Sequence, residues 1–185
     1  INPAEDIDAT LRECEERADE KGLRWASEAR EGDPAGQELI AGVVVRTCNN
    51  VLTRSGSLLE AFRSDWPELS VVPAQVNWVM LWPDGVTDWH RHLGQTDHLV
   101  FGAGVIKLCL HDDREDSQTK GLSNVFRFGD LRPAVVVVPQ GVWHGLRNES
   151  GAPAFFLNYF DAPYSHEEPD NWRFPHDSAE LPCPL

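Results

Sequence analysis

The chain has 185 residues, 41% of them apolar, and a formal net charge of −14. That length suits one domain, or one domain with an extension, and the apolar share suffices for a sizeable core. The acidity argues against nucleic acid and anionic membrane surfaces as partners, since both demand a basic footprint, and no apolar run approaches the roughly 18 residues of a membrane span.

The acidic start of the sequence shows no signal-peptide pattern, which points to a cytoplasmic protein. Cysteines at 14, 48, 109 and 183 form no CxxC pair and read as reduced, mostly buried thiols.

Residues 2–21 read as a helix. Asn2 suits the cap, Pro3 the first helical position and Glu5 a capping box, while Ile7, Leu11, Cys14 and Ala18 make an apolar stripe at helical spacing. A second short helix is expected over 23–30. The loop EGDPAG at 31–36 then closes a helical extension, placing the domain boundary at 36/37.

From residue 39 the pattern changes to strands. LIAGVVVRT (39–47), QVNWVMLW (75–82), WHRH (89–92), DHLVF (97–101), VIKLCLH (105–111), SNVFRF (123–128), AVVVVP (134–139), VWHGLRN (142–148) and PAFFLNYF (153–160) are apolar or alternating runs, most of them separated by Gly, Pro or Asp. AFRSDWPEL (61–69) is ambiguous, and the tail from 161 is expected to wrap the outside. Many short strands at this spacing predict an all-β sandwich or barrel.

Two segments carry the chemistry. In the first, His90 and His92 stand two apart on a strand and so face one way, with Asp97 on the next strand and Gly104 making the return turn. In the second, Pro139-x-Gly141 breaks one strand and His144 lies on the following one. Three imidazoles and a carboxylate converging inside a barrel suit one divalent ion, whether Fe(II), Mn, Ni, Co or Zn, with open positions for substrate. His98 alternates to the face opposite Asp97 and reads as structural. Trp78, Trp82, Trp89 and Trp143 are candidates for the site's mouth or for packing. His111, His166 and His176 have no evident partners.

These segments resemble the paired motifs of the cupin superfamily, with Asp97 where Glu is usual and Pro133 where the second motif has its leading Gly. The runs GQTDH (94–98), DDREDSQTKG (112–121), PQGVWHG (139–145) and EEPDNWRFPHD (167–177) are similar to the cupins related to dTDP-4-dehydrorhamnose 3,5-epimerase. That resemblance implies a double-stranded β-helix (a jelly-roll barrel), a homodimer, and epimerisation by proton abstraction beside a ketone, with His90 at the place of the catalytic base. It also exposes departures. Thr87 stands where the family's phosphate-holding Arg falls, His92 where Gln falls, Asp97 near the Lys, and Leu157 near the acid Tyr.

The changes to His92 and Asp97 favour a metal-dependent enzyme working on a small keto or hydroxy compound through an enolate, or on O2 if the metal is Fe(II). Two alternatives stay open: a metal-free nucleotide-sugar epimerase with His90 as base, and a non-catalytic cupin that binds a small ligand.

Overall fold

The computed structural model describes residues 36–69, 72–183 and 185. The helices expected over 2–21 and 23–30, which set the expected boundary at 36/37, lie outside the described residues.

The described chain is almost wholly strand: β1 (Val44–Thr47), β2 (Asn50–Thr53), β3 (Gly56–Leu59), β4 (Gln75–Leu81), β5 (Trp89–Arg91), β6 (Asp97–Ala103), β7 (Val105–His111), β8 (Ser123–Gly129), β9 (Ala134–Val138), β10 (Trp143–Asn148), β11 (Ala154–Phe160) and β12 (Trp172–Phe174). Two five-stranded antiparallel sheets, ordered β1-β9-β6-β11-β4 and β12-β5-β10-β7-β8, face each other as a jelly roll. The β2–β3 hairpin stands apart. The ambiguous segment 61–69 contains no strand and ends in a short 3-10 turn at Pro67–Leu69.

Strand alternation sorts the side chains. Leu99, Phe101, Leu108, Leu110, Phe126, Val136, Val138, Leu146 and Phe156 point between the sheets and form the main core. Their neighbours Val100, Val135, Val137 and Tyr159 point outward into a second cluster with Trp66 and Leu69. His98 belongs to that outer layer, stacked on Tyr159 with ring centroids 4.6 Å apart. Gly129 is required where β8 ends, because an added Cβ would lie 1.7 Å from the Gly104 carbonyl oxygen. The acid-rich loop after β7 is fastened by Asp112, which accepts hydrogen bonds from Arg114, Ser117 and Thr119.

The tail does more than wrap. Leu181, Cys183 and Leu185 pack with Trp89, Cys109 and Trp143 against the outer face of the β5–β10–β7 sheet. Each buried leucine there contributes roughly 1.5–3 kcal/mol. Leu185 occupies the space a side chain at Gly145 would need. Cys109 and Cys183 form a disulfide with Cα atoms 6.6 Å apart, which corrects the expectation of reduced thiols; of the described cysteines, Cys48 alone is free. The signal was absent from the sequence because 74 positions separate the pair and only the tail's path joins them.

Trp89 and Trp143 are therefore covered by the tail and do not reach a site mouth. Trp78 and Trp82, 70% and 66% exposed, lie outside the cavity as well.

Candidate active site between the sheets

The site is a cavity of about 520 Å³ lined by residues of both sheets, including Asn77, Thr87, His90, His92, Asp97 and Asn158. His144 pairs in register with His90, so both rings project from one face of their sheet, with centroids 4.0 Å apart. Asp97 opens β6 on the opposite sheet and is 1% exposed. One ligand-type atom from each of His90, His92, Asp97 and His144 lies within 4.8 Å of the others.

Each ring is oriented by a backbone carbonyl. His90 Nδ1 sits 3.0 Å from the Asp88 carbonyl oxygen and His144 Nδ1 3.1 Å from that of Val142, while His92 Nδ1 contacts the Asp170 carbonyl. A carbonyl only accepts, so Nδ1 carries the proton and Nε2 of each ring is left for the site. Gly141, at φ 81°, turns the chain so that its N–H donates to the His92 carbonyl at 2.7 Å, joining the two motifs.

Asp97 collects donors. Gln95 Nε2 donates at 2.8 Å and Asn158 Nδ2 at 3.2 Å; His144 Nε2 lies 3.1 Å from the same carboxylate and His92 Nε2, beyond hydrogen-bond distance, 3.7 Å. Burial pushes the carboxyl up, but the hydrogen bonds from His144 and Gln95 and the nearby imidazoles outweigh it and hold Asp97 well below the usual carboxylate range. Both nitrogens of His144 thus lie against oxygen atoms, the Val142 carbonyl and the Asp97 carboxylate. His90 differs: burial, then the charge of His144, lower it to about 3. At neutral pH it is an uncharged base whose Nε2 lone pair meets the cavity.

The four sequence-predicted residues are brought together, and Thr87 lines the same cavity while its hydroxyl accepts from Leu146 N at 2.9 Å. Leu157 is not at the site: it faces outward into an apolar groove, and its neighbour Asn158 faces in. Tyr164 is the tyrosine that lines the cavity among the described residues. His111, His166 and His176 lie apart, contacting Ser123, Tyr164 and Asp88 respectively.

Sequence reasoning missed Gln95, Asn158, Tyr164, Asn171 and Arg173. Gln95 and Asn158 had a legible signal, since each alternates onto the face of a motif or strand already marked as inward. Asn171 and Arg173 had none, because they arrive just before and on β12, a strand of three residues inside a Pro- and acid-rich tail.

A jelly roll with convergent polar groups between its sheets is a cupin barrel, and comparisons with known proteins refine the class. No family model matches the chain. The protein named "Probable low-salt glycan biosynthesis epimerase Agl13" of Haloferax volcanii is 39% identical over 139 residues, covering 75% of this chain and 89% of the relative. The spore coat polysaccharide biosynthesis protein SpsL of Bacillus subtilis is 31% identical over 143 residues, covering 77% and 94%. Among solved structures, a dTDP sugar isomerase from Desulfovibrio desulfuricans superposes with a TM-score of 0.73 at 25% identity, covering 78% of this chain and 90% of its own. The Bacillus anthracis dTDP-4-dehydrorhamnose 3,5-epimerase, solved with TDP and PPi, shares the fold at a TM-score of 0.67 and 18% identity, covering 77% and 83%.

The chain belongs to the family of sugar epimerases related to dTDP-4-dehydrorhamnose 3,5-epimerase. That membership overturns the expectation of a metal-dependent isomerase, lyase or oxygenase: the relatives are sugar-biosynthesis proteins and dTDP-sugar epimerases. The physical reason lies in the geometry. A cluster of imidazoles around a buried carboxylate reads from sequence as a ligand set, yet in space Gln95, Asn158 and His144 are the partners of that carboxylate and His90 stays uncharged.

Proposed function

We propose that the protein is a nucleotide-sugar epimerase acting on a keto sugar, with His90 as the general base. The observation that carries this is the neutral His90, held by the Asp88 carbonyl with Nε2 toward the cavity, in a chain of epimerase ancestry. His90 removes the proton on the carbon beside the ketone. The electron pair moves onto the ketone oxygen as an enolate, and the carbon is reprotonated from its other face. The negative charge that develops favours protonated His90, offsetting the depression that keeps it neutral in the free protein. Tyr164 is the acid in this scheme, and Asp97, His144 and Asn158 hold the surrounding hydrogen bonds. The test is solvent deuterium entering a dTDP-4-keto-6-deoxy sugar, which His90→Gln should abolish.

The cluster supports a second proposal. Four donor atoms within 4.8 Å also fit one divalent ion, Fe(II), Mn, Ni, Co or Zn. Bound by His90, His92, Asp97 and His144, such an ion would occupy the lone pair that His90 needs as a base. The ion is thus read here as an inhibitor of proton transfer. Titrating zinc into metal-stripped protein should bind about one ion per chain and suppress exchange, and His92→Ala should weaken both effects. Exchange unaffected by saturating zinc would contradict this.

A further inference from the structure

We infer that Arg173 anchors the anionic group of the substrate, replacing cations that the family motif positions no longer supply. This rests on the epimerase reading and narrows it to substrates carrying a phosphate or diphosphate. The difficulty is electrostatic. The chain carries a net charge of −14, and the cavity wall includes the carboxylates of Asp88 and Asp97. Neither motif position supplies a positive charge: Thr87 is a neutral residue whose hydroxyl accepts from Leu146 N, and Asp97 is a buried acid.

Among the described residues lining the cavity, Arg173 is the one lysine or arginine. Its position follows from register. β12 pairs antiparallel with β5, and Arg173 lies opposite His90, so both side chains leave the sheet on the cavity face. The guanidinium is oriented without being used up. Nε donates to Asn171 Oδ1 at 3.2 Å, Nη1 stands 4.0 Å from Asp88 Oδ2, and the side chain is 59% exposed. An ion pair that long between exposed groups is weak and readily exchanged for phosphate, which a guanidinium binds through two parallel hydrogen bonds.

The same strand therefore delivers the anchor beside the base. A sugar whose diphosphate rests on Arg173 presents its ring to His90, a positioning role that shows in KM more than in kcat.

The test uses the intact protein with dTDP, thymidine and pyrophosphate as probes in calorimetry, beside KM and kcat for the keto-sugar exchange. Arg173→Ala should weaken dTDP and pyrophosphate about tenfold or more while leaving thymidine unchanged, and Arg173→Lys should fall between. KM should rise with kcat held within about twofold. Arg173→Gln, which keeps the side-chain bulk, serves if the alanine variant has a lowered melting temperature. Unchanged dTDP affinity in a folded variant overturns the anchor, as does wild-type protein that binds thymidine as tightly as dTDP. Arg173-dependent dTDP binding without any exchange by the wild type keeps the anchor and removes the epimerase reading; exchange with an unaltered KM in Arg173→Ala does the reverse.

Discussion

Two residues of one sheet face, His90 and His144, stand in register yet meet different partners. His144 has an acceptor at each nitrogen, while His90 has one carbonyl at Nδ1 and open cavity at Nε2. Linkage makes that difference measurable. His90 drops from an ordinary 6.5 to about 3 in the folded protein, so between those values the unfolded chain binds a proton that the folded one refuses. Stability therefore falls as pH drops from 6.5 toward 3. Asp97, whose folded value is depressed, adds stability above roughly pH 4 that is lost on further acidification. The melting temperature of His90→Gln should fall less than that of the wild type between about pH 7 and 4.5, the span His90's shift covers. Parallel curves would show that His90 is not held neutral by its burial.

The elements were legible where alternation was strong and blank where strands were short. The nine runs from 39–47 to 153–160 correspond to β1 and β4–β11, because half-buried strands print their pleat on the sequence. β2, β3 and β12 left no print: the first two expose most of their side chains, and the third is held by its neighbour and not by its own composition. That third strand matters for the site. The tail from Asp170 to Leu185 caps Leu93 and Gly94 with the Asp170 carboxylate, carries Arg173, and is tied to β7 through Cys183.

Closing a loop of 74 residues stabilises a fold by about 4 kcal/mol on chain-entropy grounds. A reductant should therefore lower the melting temperature of the wild type to that of Cys183→Ser and leave the variant unmoved. A wild type indifferent to reductant would mean that the tail is held by packing alone.

For the whole molecule, the barrel followed from strand spacing together with motif, whereas the reaction depended on weighing substitutions. His92 and Asp97 argue for a metal when set against the family motif; in space Asp97 is held by Gln95, Asn158 and His144, beside an uncharged His90. Sequence shows which side chains converge, but the state of His90 depends on its burial and on the neighbouring His144, and those come from the register of β5 with β10. The cation lining the cavity was likewise hidden, because β12 brings Arg173 there from the tail. In the described residues no helix is long and apolar enough to cross a membrane.

The central claim is that His90 moves a proton on a carbon beside a ketone. The most direct measurement is deuterium incorporation from D2O into a dTDP-4-keto-6-deoxy sugar by metal-stripped protein, read by NMR for the wild type and His90→Gln. Wild-type protein should place label at the positions flanking the ketone, and the variant should lose on the order of 10²–10⁴-fold in that rate. A wild type that leaves those positions unlabelled, or a variant that labels them as fast, would contradict it.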